Sequence, residues 1–214
     1  MVAAFTETLL KIAGSSGRFL SAQELHRFET HYRLLQKWSR RMNLTGLKDE
    51  STIVRRHFLE PIAIADLLDD EGRLIDIGSG SGFPAVPLKV LRPGLDLVLV
   101  ESSEKKSAFL RALIRELELT QARVETRRVR RITDLGDLLP CRYLTVRAVR
   151  TDDLLKGQGG PILAPGGKAF FFVTAEQVGH LRRRPPIPGL RLSGTRPLPS
   201  DSRSVLAILE PERA

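Results

Sequence analysis

The chain has 214 residues, with 34 Lys and Arg against 25 Asp and Glu, a formal net charge of +9, one cysteine and 42% hydrophobic residues. That length suits one large domain, or a medium domain with a small appendage, and it supports a hydrophobic core without disulfide staples. The composition excludes disordered and collagen-like chains, and a lone Cys141 excludes a disulfide framework or a cysteine zinc cluster.

No stretch reaches the roughly 18 consecutive apolar residues that span a bilayer. The opening MVAAFTETLLKIAG carries Glu7 within its apolar pattern and has no basic leading segment, so it reads as a helix and not as a signal peptide. A cytoplasmic protein without a membrane partner is expected, and the single cysteine fits a reducing compartment. The positive balance favours an anionic partner, nucleic acid ahead of membrane. The competing reading is an arginine-rich composition that serves solubility alone.

Residues 1–70 read as a helical extension, and residues 71–214 as the main body. Ser21 and Glu24 have the Ser-x-x-Glu capping-box spacing. After them Leu25, Phe28, His31 or Tyr32, Leu35 and Trp38 recur at three- and four-residue steps, a helical stripe. Gly46 and the polar run Lys48-Asp49-Glu50-Ser51 interrupt it. A second helix is expected over residues 52–68, kinked at Pro61.

From residue 73 the texture changes. Residues 74–77 form a short apolar strand ending in glycines, and 84–90 a helix. Residues 95–100 form a nearly continuous apolar run, as in a strand buried on both faces. Residues 104–119 are amphipathic, and further strands are expected at 123–126, 143–148 and 169–173. Alternating strands and helices imply a parallel, doubly wound α/β sheet. Residues 182–189 read as a loop from their Arg and Pro content. Residues 190–198 and 204–209 then form a C-terminal antiparallel hairpin.

Asp76-Ile77-Gly78-Ser79-Gly80-Ser81-Gly82-Phe83 sits between a strand and a helix, where glycines permit a tight turn and close approach of a ligand. Glu101 ends the next strand, where an acid bonds ribose hydroxyls in folds of this kind. Together they indicate a nucleoside-type cofactor. A dinucleotide loop would place a third glycine where Phe83 stands. The Asp-x-Gly-x-Gly-x-Gly pattern instead resembles the first motif of class I S-adenosylmethionine-dependent methyltransferases. No Gly-x-x-x-x-Gly-Lys-Ser/Thr loop is present.

Further segments are similar to one family, the bacterial 16S rRNA guanine-N7 methyltransferases, also called glucose-inhibited division protein B. They are the run 37–45 with Asn43-Leu44-Thr45, Arg56-His57-Phe58-Leu59-Glu60, the glycine loop with Phe83-Pro84, Glu101-Ser102 with Lys105-Lys106, Phe109-Leu110-Arg111, Arg147-Ala148, and the weaker Pro165-Gly166-Gly167. The resemblance implies a class I, Rossmann-like fold, S-adenosylmethionine as cofactor, and a specific guanine of 16S rRNA, or a small-subunit assembly intermediate, as substrate. It implies a cofactor site of Asp76, Gly78, Gly80, Gly82, Phe83, Glu101, Val129, Arg130 and Arg147. Val129 and Arg130 would stand where main chain meets adenine, and Arg147 would border cofactor and substrate. This chain departs from the family at Arg130, where Glu is common, at Glu60-Pro61, where Asp-Ser is common, and at Val173-Thr174, where Lys-Gly is frequent.

Transfer of a methyl group to guanine N7 needs no general base, because the N7 lone pair is free in the ring plane; catalysis reduces to alignment. The sequence agrees by omission. It has no Asn/Asp-Pro-Pro-Tyr segment, and Cys141 lies ahead of the fourth strand, away from where a nucleophile would be needed. Arg147 is the expected positioning residue, since its planar fork suits guanine O6 or a phosphate; a structural ion pair is the alternative. Arg40, Arg41, Arg55, Arg56 and His57 are candidate RNA contacts, with a solvated helix face as the competing reading. Arg127, Arg128, Arg130 and Arg131 would surround the cofactor edge. His26, His31 and His180 read as surface or partly buried, and Trp38 and Met42 as core. No spacing supports a metal site, and a monomer is expected. A class I methyltransferase acting on a small molecule or a protein is the second reading.

Overall fold

The computed structural model describes residues 2–15, 17–47, 49–147, 161–183, 187–200 and 203–212. Lys48, Ala148 and the Arg184-Pro185-Pro186 part of the basic tail lie outside the described residues. The chain runs α1 (Val2–Ser15), α2 (Ala22–Ser39), α3 (Glu50–Ile53), a π-helical stretch Val54–Leu59, α4 (Glu60–Ile64) and a 3-10 turn Ala65–Leu67. The main body follows as β1 (Arg73–Ile77), α5 (Ala85–Leu91), β2 (Asp96–Glu101), α6 (Glu104–Glu116), β3 (Ala122–Thr126), a 3-10 stretch Ile132–Leu138, β4 (Cys141–Arg147), β5 (Leu163–Thr174), α7 (Ala175–Arg183), β6 (Leu190–Pro197) and β7 (Ser204–Pro211).

The seven strands form one sheet in the order β3-β2-β1-β4-β5-β7-β6. The first five are parallel, and β7 pairs antiparallel with both β5 and β6. The expected mostly parallel sheet with a closing antiparallel hairpin is therefore found, with β7 on the inner side of the hairpin. Central β1 and β2 are buried along almost their whole length, which explains their unbroken apolar runs.

The capping box at α2 is formed reciprocally: the Glu24 N–H donates to Ser21 Oγ and the Ser21 N–H to Glu24 Oε2. The apolar stripe of α2 is then committed to the core through Phe28, Tyr32 and Leu35. One continuous buried cluster joins Phe5 and Leu9 of α1, Phe28 of α2 and Phe58 to Phe83, Leu88 and Leu97 of the main body. Each such side chain contributes roughly 1.5–3 kcal/mol by its burial. Phe58 is central to this cluster, edge-on to Phe5, Phe28, His31 and Phe83.

Three expectations are corrected. Residues 52–67 are helical throughout, as expected, but not as a single α-helix kinked at Pro61. The hydrogen-bond register widens ahead of Pro61 into the π-helical stretch, because proline has no N–H to continue an α-helical ladder. Arg182 and Arg183 are not loop residues but the last turn of α7, where cations face the carbonyl end of the helix. His31 is fully buried, not a surface or partly buried residue, because α2 presses it against the glycine loop.

Candidate active site

The loop after β1 is shaped by its own backbone and by β2. The Gly78 and Ser79 N–H groups donate to the Val100 carbonyl at 2.8 and 3.1 Å, and Gly82 N–H donates to Ser79 O at 2.7 Å. Gly78, Gly80 and Gly82 all have positive φ, a conformation that side chains resist. Glu101, 7% exposed at the end of β2, accepts from the Gly80 N–H at 2.9 Å and from the Ser103 N–H at 2.8 Å. Its carboxylate thus ties the loop to the start of α6.

Below the loop, Asp76 Oδ1 accepts from the Thr145 hydroxyl at 2.7 Å across the β1–β4 pair. Its Oδ2 is buried with no partner among the described residues. Burial pushes its carboxyl up to about 7, despite the opposing Thr145 bond.

Phe83 closes the loop as the middle of three stacked rings. His31 lies on it at 4.2 Å and His57 at 4.3 Å, with planes within 6°. Since a carbonyl only accepts, His31 Nε2 donates to Ser81 O at 2.9 Å. His57 Nε2 bonds Thr45 Oγ1 at 2.9 Å, and that oxygen also accepts from Leu47 N–H. Burial lowers His31 to about 4 and His57 to about 3, the latter helped by Arg147, so both rings are neutral near pH 7.

Two clefts open at the carboxyl ends of the strands. One, of about 330 Å³, lies between the 44–47 segment and Gly78, Ser79, Gly80 and Ser81, with Phe83 and Lys106. The other, of about 360 Å³, lies against Phe172, Gln177 and Leu198 near the carboxyl end of β5. Arg56 and Arg147 line both. Arg147 is anchored: Nη1 donates to Arg56 O at 2.7 Å, Nη2 pairs with Glu60 Oε2 at 2.8 Å, and the cation lies 5.3 Å from the centre of the Phe172 ring.

The family model described as rRNA small subunit methyltransferase G matches residues 24–183. The chain belongs to that family. It is 40% identical over 164 residues to the ribosomal RNA small subunit methyltransferase G of Roseiflexus castenholzii, covering 76% of this chain and 70% of that protein. It is 38% identical over 162 residues to that of Chloroflexus aggregans, covering 75% and 68%. Among solved structures, ribosomal protein L11 methylase from Lactobacillus delbrueckii subsp. bulgaricus superposes with a TM-score of 0.59 at 13% identity, over 78% of this chain and 81% of its own. A SAM-dependent methyltransferase from Aquifex aeolicus gives 0.56 at 13% identity, over 78% and 95%. These two share the fold, which is that of class I S-adenosylmethionine-dependent methyltransferases.

Within this methyltransferase, the first cleft brings together Gly78, Gly80, Phe83, Arg56, His57 and Arg147 of the sequence-derived residues. Asp76, Gly82 and Glu101 are not on that lining. Val129 and Arg130 follow β3; the Arg130 N–H donates to Asp134 Oδ2, and Val129 packs against the buried cluster that holds Ile77, Val100 and Ile132. Arg40, Arg41 and Arg55 are exposed. Sequence reasoning had not assigned Thr45, Lys106 or Glu60 to the site. Thr45 and Lys106 lay inside matched segments without a role, and Glu60 read only as a departure from the family. Among the described residues no helix is long and apolar enough to cross a membrane, and no group of three or more His, Cys, Asp or Glu could hold a metal.

Proposed function

We propose that this chain methylates small-subunit ribosomal RNA at N7 of a guanine, with S-adenosylmethionine as donor. The observation that carries this reading is that Arg56 and Arg147 line two adjacent clefts, one against the glycine loop and one against Phe172. The first suits the cofactor. Gly80 has open space where a side chain would project, with only Gly78 O within 4 Å, at 3.7 Å. On the lining of this cleft, the buried Arg56 Nε and His57 Nδ1 have no partner among the described residues, and a polar ligand would satisfy such atoms. Glu101 keeps lone pairs for ribose hydroxyls beyond the two amides it holds.

When bound, the cofactor supplies an electrophilic methyl carbon. The chain's own part is alignment. Arg147 offers a fixed cation to guanine O6 beside the reacting edge, and Phe83 and His57 wall one side of the cleft. No base is required at N7, and the nearby histidines, at about 4 and 3, would be poor ones. Cys141 is buried at the opposite end of β4, with its thiol pushed up to about 12, so it is no nucleophile.

The test is borohydride–aniline cleavage of ribosomal RNA methylated by the purified protein, which cuts at 7-methylguanine. One cleavage site in small-subunit RNA is expected. Methylated RNA without an aniline-sensitive site would refute the N7 assignment. Absence of transfer to any RNA, with cofactor bound, would favour a small-molecule or protein substrate.

A further inference from the structure

Glu60 and Pro61 are neighbours at the start of α4, and both bear on Arg147. In an α-helix the carbonyl of Arg56 would accept from the N–H of residue 60. In the π-helical stretch that N–H goes to Arg55 O instead. The next donor in the widened register would be residue 61, and proline has none. The Arg56 carbonyl is thereby left to accept from Arg147 Nη1 at 2.7 Å. Beside it Glu60, 1% exposed, pairs with Nη2 at 2.8 Å and accepts the Ser200 hydroxyl on its other oxygen. A buried carboxylate with both oxygens engaged has little freedom, and it fixes the plane of the guanidinium it holds.

We propose that Glu60 and Pro61 are a positioning pair that sets Arg147 in the wall between the two clefts, and that methyl transfer depends on the charge of Glu60 and not on its bulk. This rests on the reading that Arg147 serves the acceptor guanine. Glu60→Gln keeps the volume and removes the charge; Glu60→Asp keeps the charge and removes a methylene. With folding checked by near-ultraviolet circular dichroism, kcat on ribosomal RNA should fall on the order of 100-fold in Glu60→Gln and stay within about fivefold in Glu60→Asp. Calorimetric affinity for S-adenosylmethionine should stay within about threefold in both. A packing role gives the reverse order, and that order would overturn the proposal.

Should Glu60→Gln fail to fold, Ser200→Ala loosens the same carboxylate without removing its charge. A fall in kcat of about three- to tenfold at unchanged KM is expected, and an unchanged kcat counts against the proposal. If the native protein transfers no methyl group to RNA, the functional reading fails, and nitrogen-15 spectra of the Arg147 guanidinium then decide. Separate Nη signals are expected in the native protein and Glu60→Asp, and averaged ones in Ser200→Ala or Glu60→Gln. Averaged signals in the native protein would mean that Glu60 does not hold the guanidinium.

Discussion

His57 lies flat on Phe83, ring centroids 4.3 Å apart and planes 6° from parallel. With His31 on the other face of the same ring, two neutral imidazoles are built into the joint between the N-terminal helices and the glycine loop.

Acid should therefore open this joint. Folded His31 and His57 titrate at about 4 and about 3, against 6.5 for the free side chain. The unfolded chain thus binds more protons as pH falls below 6.5, and each histidine removes up to about 1.4 kcal/mol of stability per pH unit until its folded value is reached. Asp76 opposes this, since its folded value of about 7 exceeds 3.8 and acid relieves its buried charge. Two groups against one leave a net loss. Urea melts at pH 7.5 and pH 5 should show lower stability at pH 5, with a flatter or reversed dependence in His31→Gln/His57→Gln. Equal native stability at both would contradict the assignment.

Asp76→Asn should trade binding for stability. Above pH 7 the native carboxylate is ionised and Oδ2 is buried without a partner among the described residues. The neutral isostere should stabilise the ligand-free protein by on the order of 2 kcal/mol at pH 8, and by less at pH 5. S-Adenosylmethionine affinity should drop about tenfold or more, because a charged acceptor is removed. Thermal melts and calorimetry on one preparation read both effects, and an Asn variant that is less stable at pH 8 would show the charge to be well compensated.

Gly80 and Gly82 should fail in different ways. A Cβ on Gly80 meets open cleft, whereas one on Gly82 comes within 3.0 Å of Val86 and 3.2 Å of Leu113, both fully buried. Gly80→Ala should cost only about 1 kcal/mol for its positive φ yet lose cofactor binding. Gly82→Ala should lose about 2–3 kcal/mol by overpacking. Cofactor titrations of both variants at matched folded fractions separate the two, and full affinity in Gly80→Ala would remove the cofactor from this cleft.

The arginines should also divide. Arg40, Arg41 and Arg55 are exposed, and Arg56 lines both clefts. Replacing the first three by Ala should make the log–log salt dependence of RNA binding shallower, by roughly 0.7–0.9 for each phosphate no longer neutralised, with kcat little changed. Arg56→Ala should lower kcat itself. An identical salt slope in the triple variant would move the RNA-binding surface elsewhere.

The parallel sheet, the closing hairpin and the glycine loop were legible because each follows from local pattern: apolar runs at 74–77 and 95–100, and glycines where the backbone turns left-handed. The matched segments also led to the correct family. What pattern could not carry was the meeting of side chains from distant elements. Glu60 read as a departure without a role, because its partner Arg147 lies 87 positions later. Periodicity put His31 on a helical face without revealing that Phe83 would cover it. The π-helical stretch was read as a simple kink, because sequence marks where a proline removes a donor but not how the turns before it redistribute their carbonyls.

β7 follows β6 in the chain but lies inside it in the sheet, between β6 and β5. During vectorial synthesis β6 thus emerges with no neighbour to join, since among the described residues it pairs with β7 alone. Until residues 204–211 follow, the edge of β5 that carries Phe170 and Phe171 stands open, a template for pairing with another chain. Released chains that are truncated within the 198–204 link should be the ones that call for a chaperone.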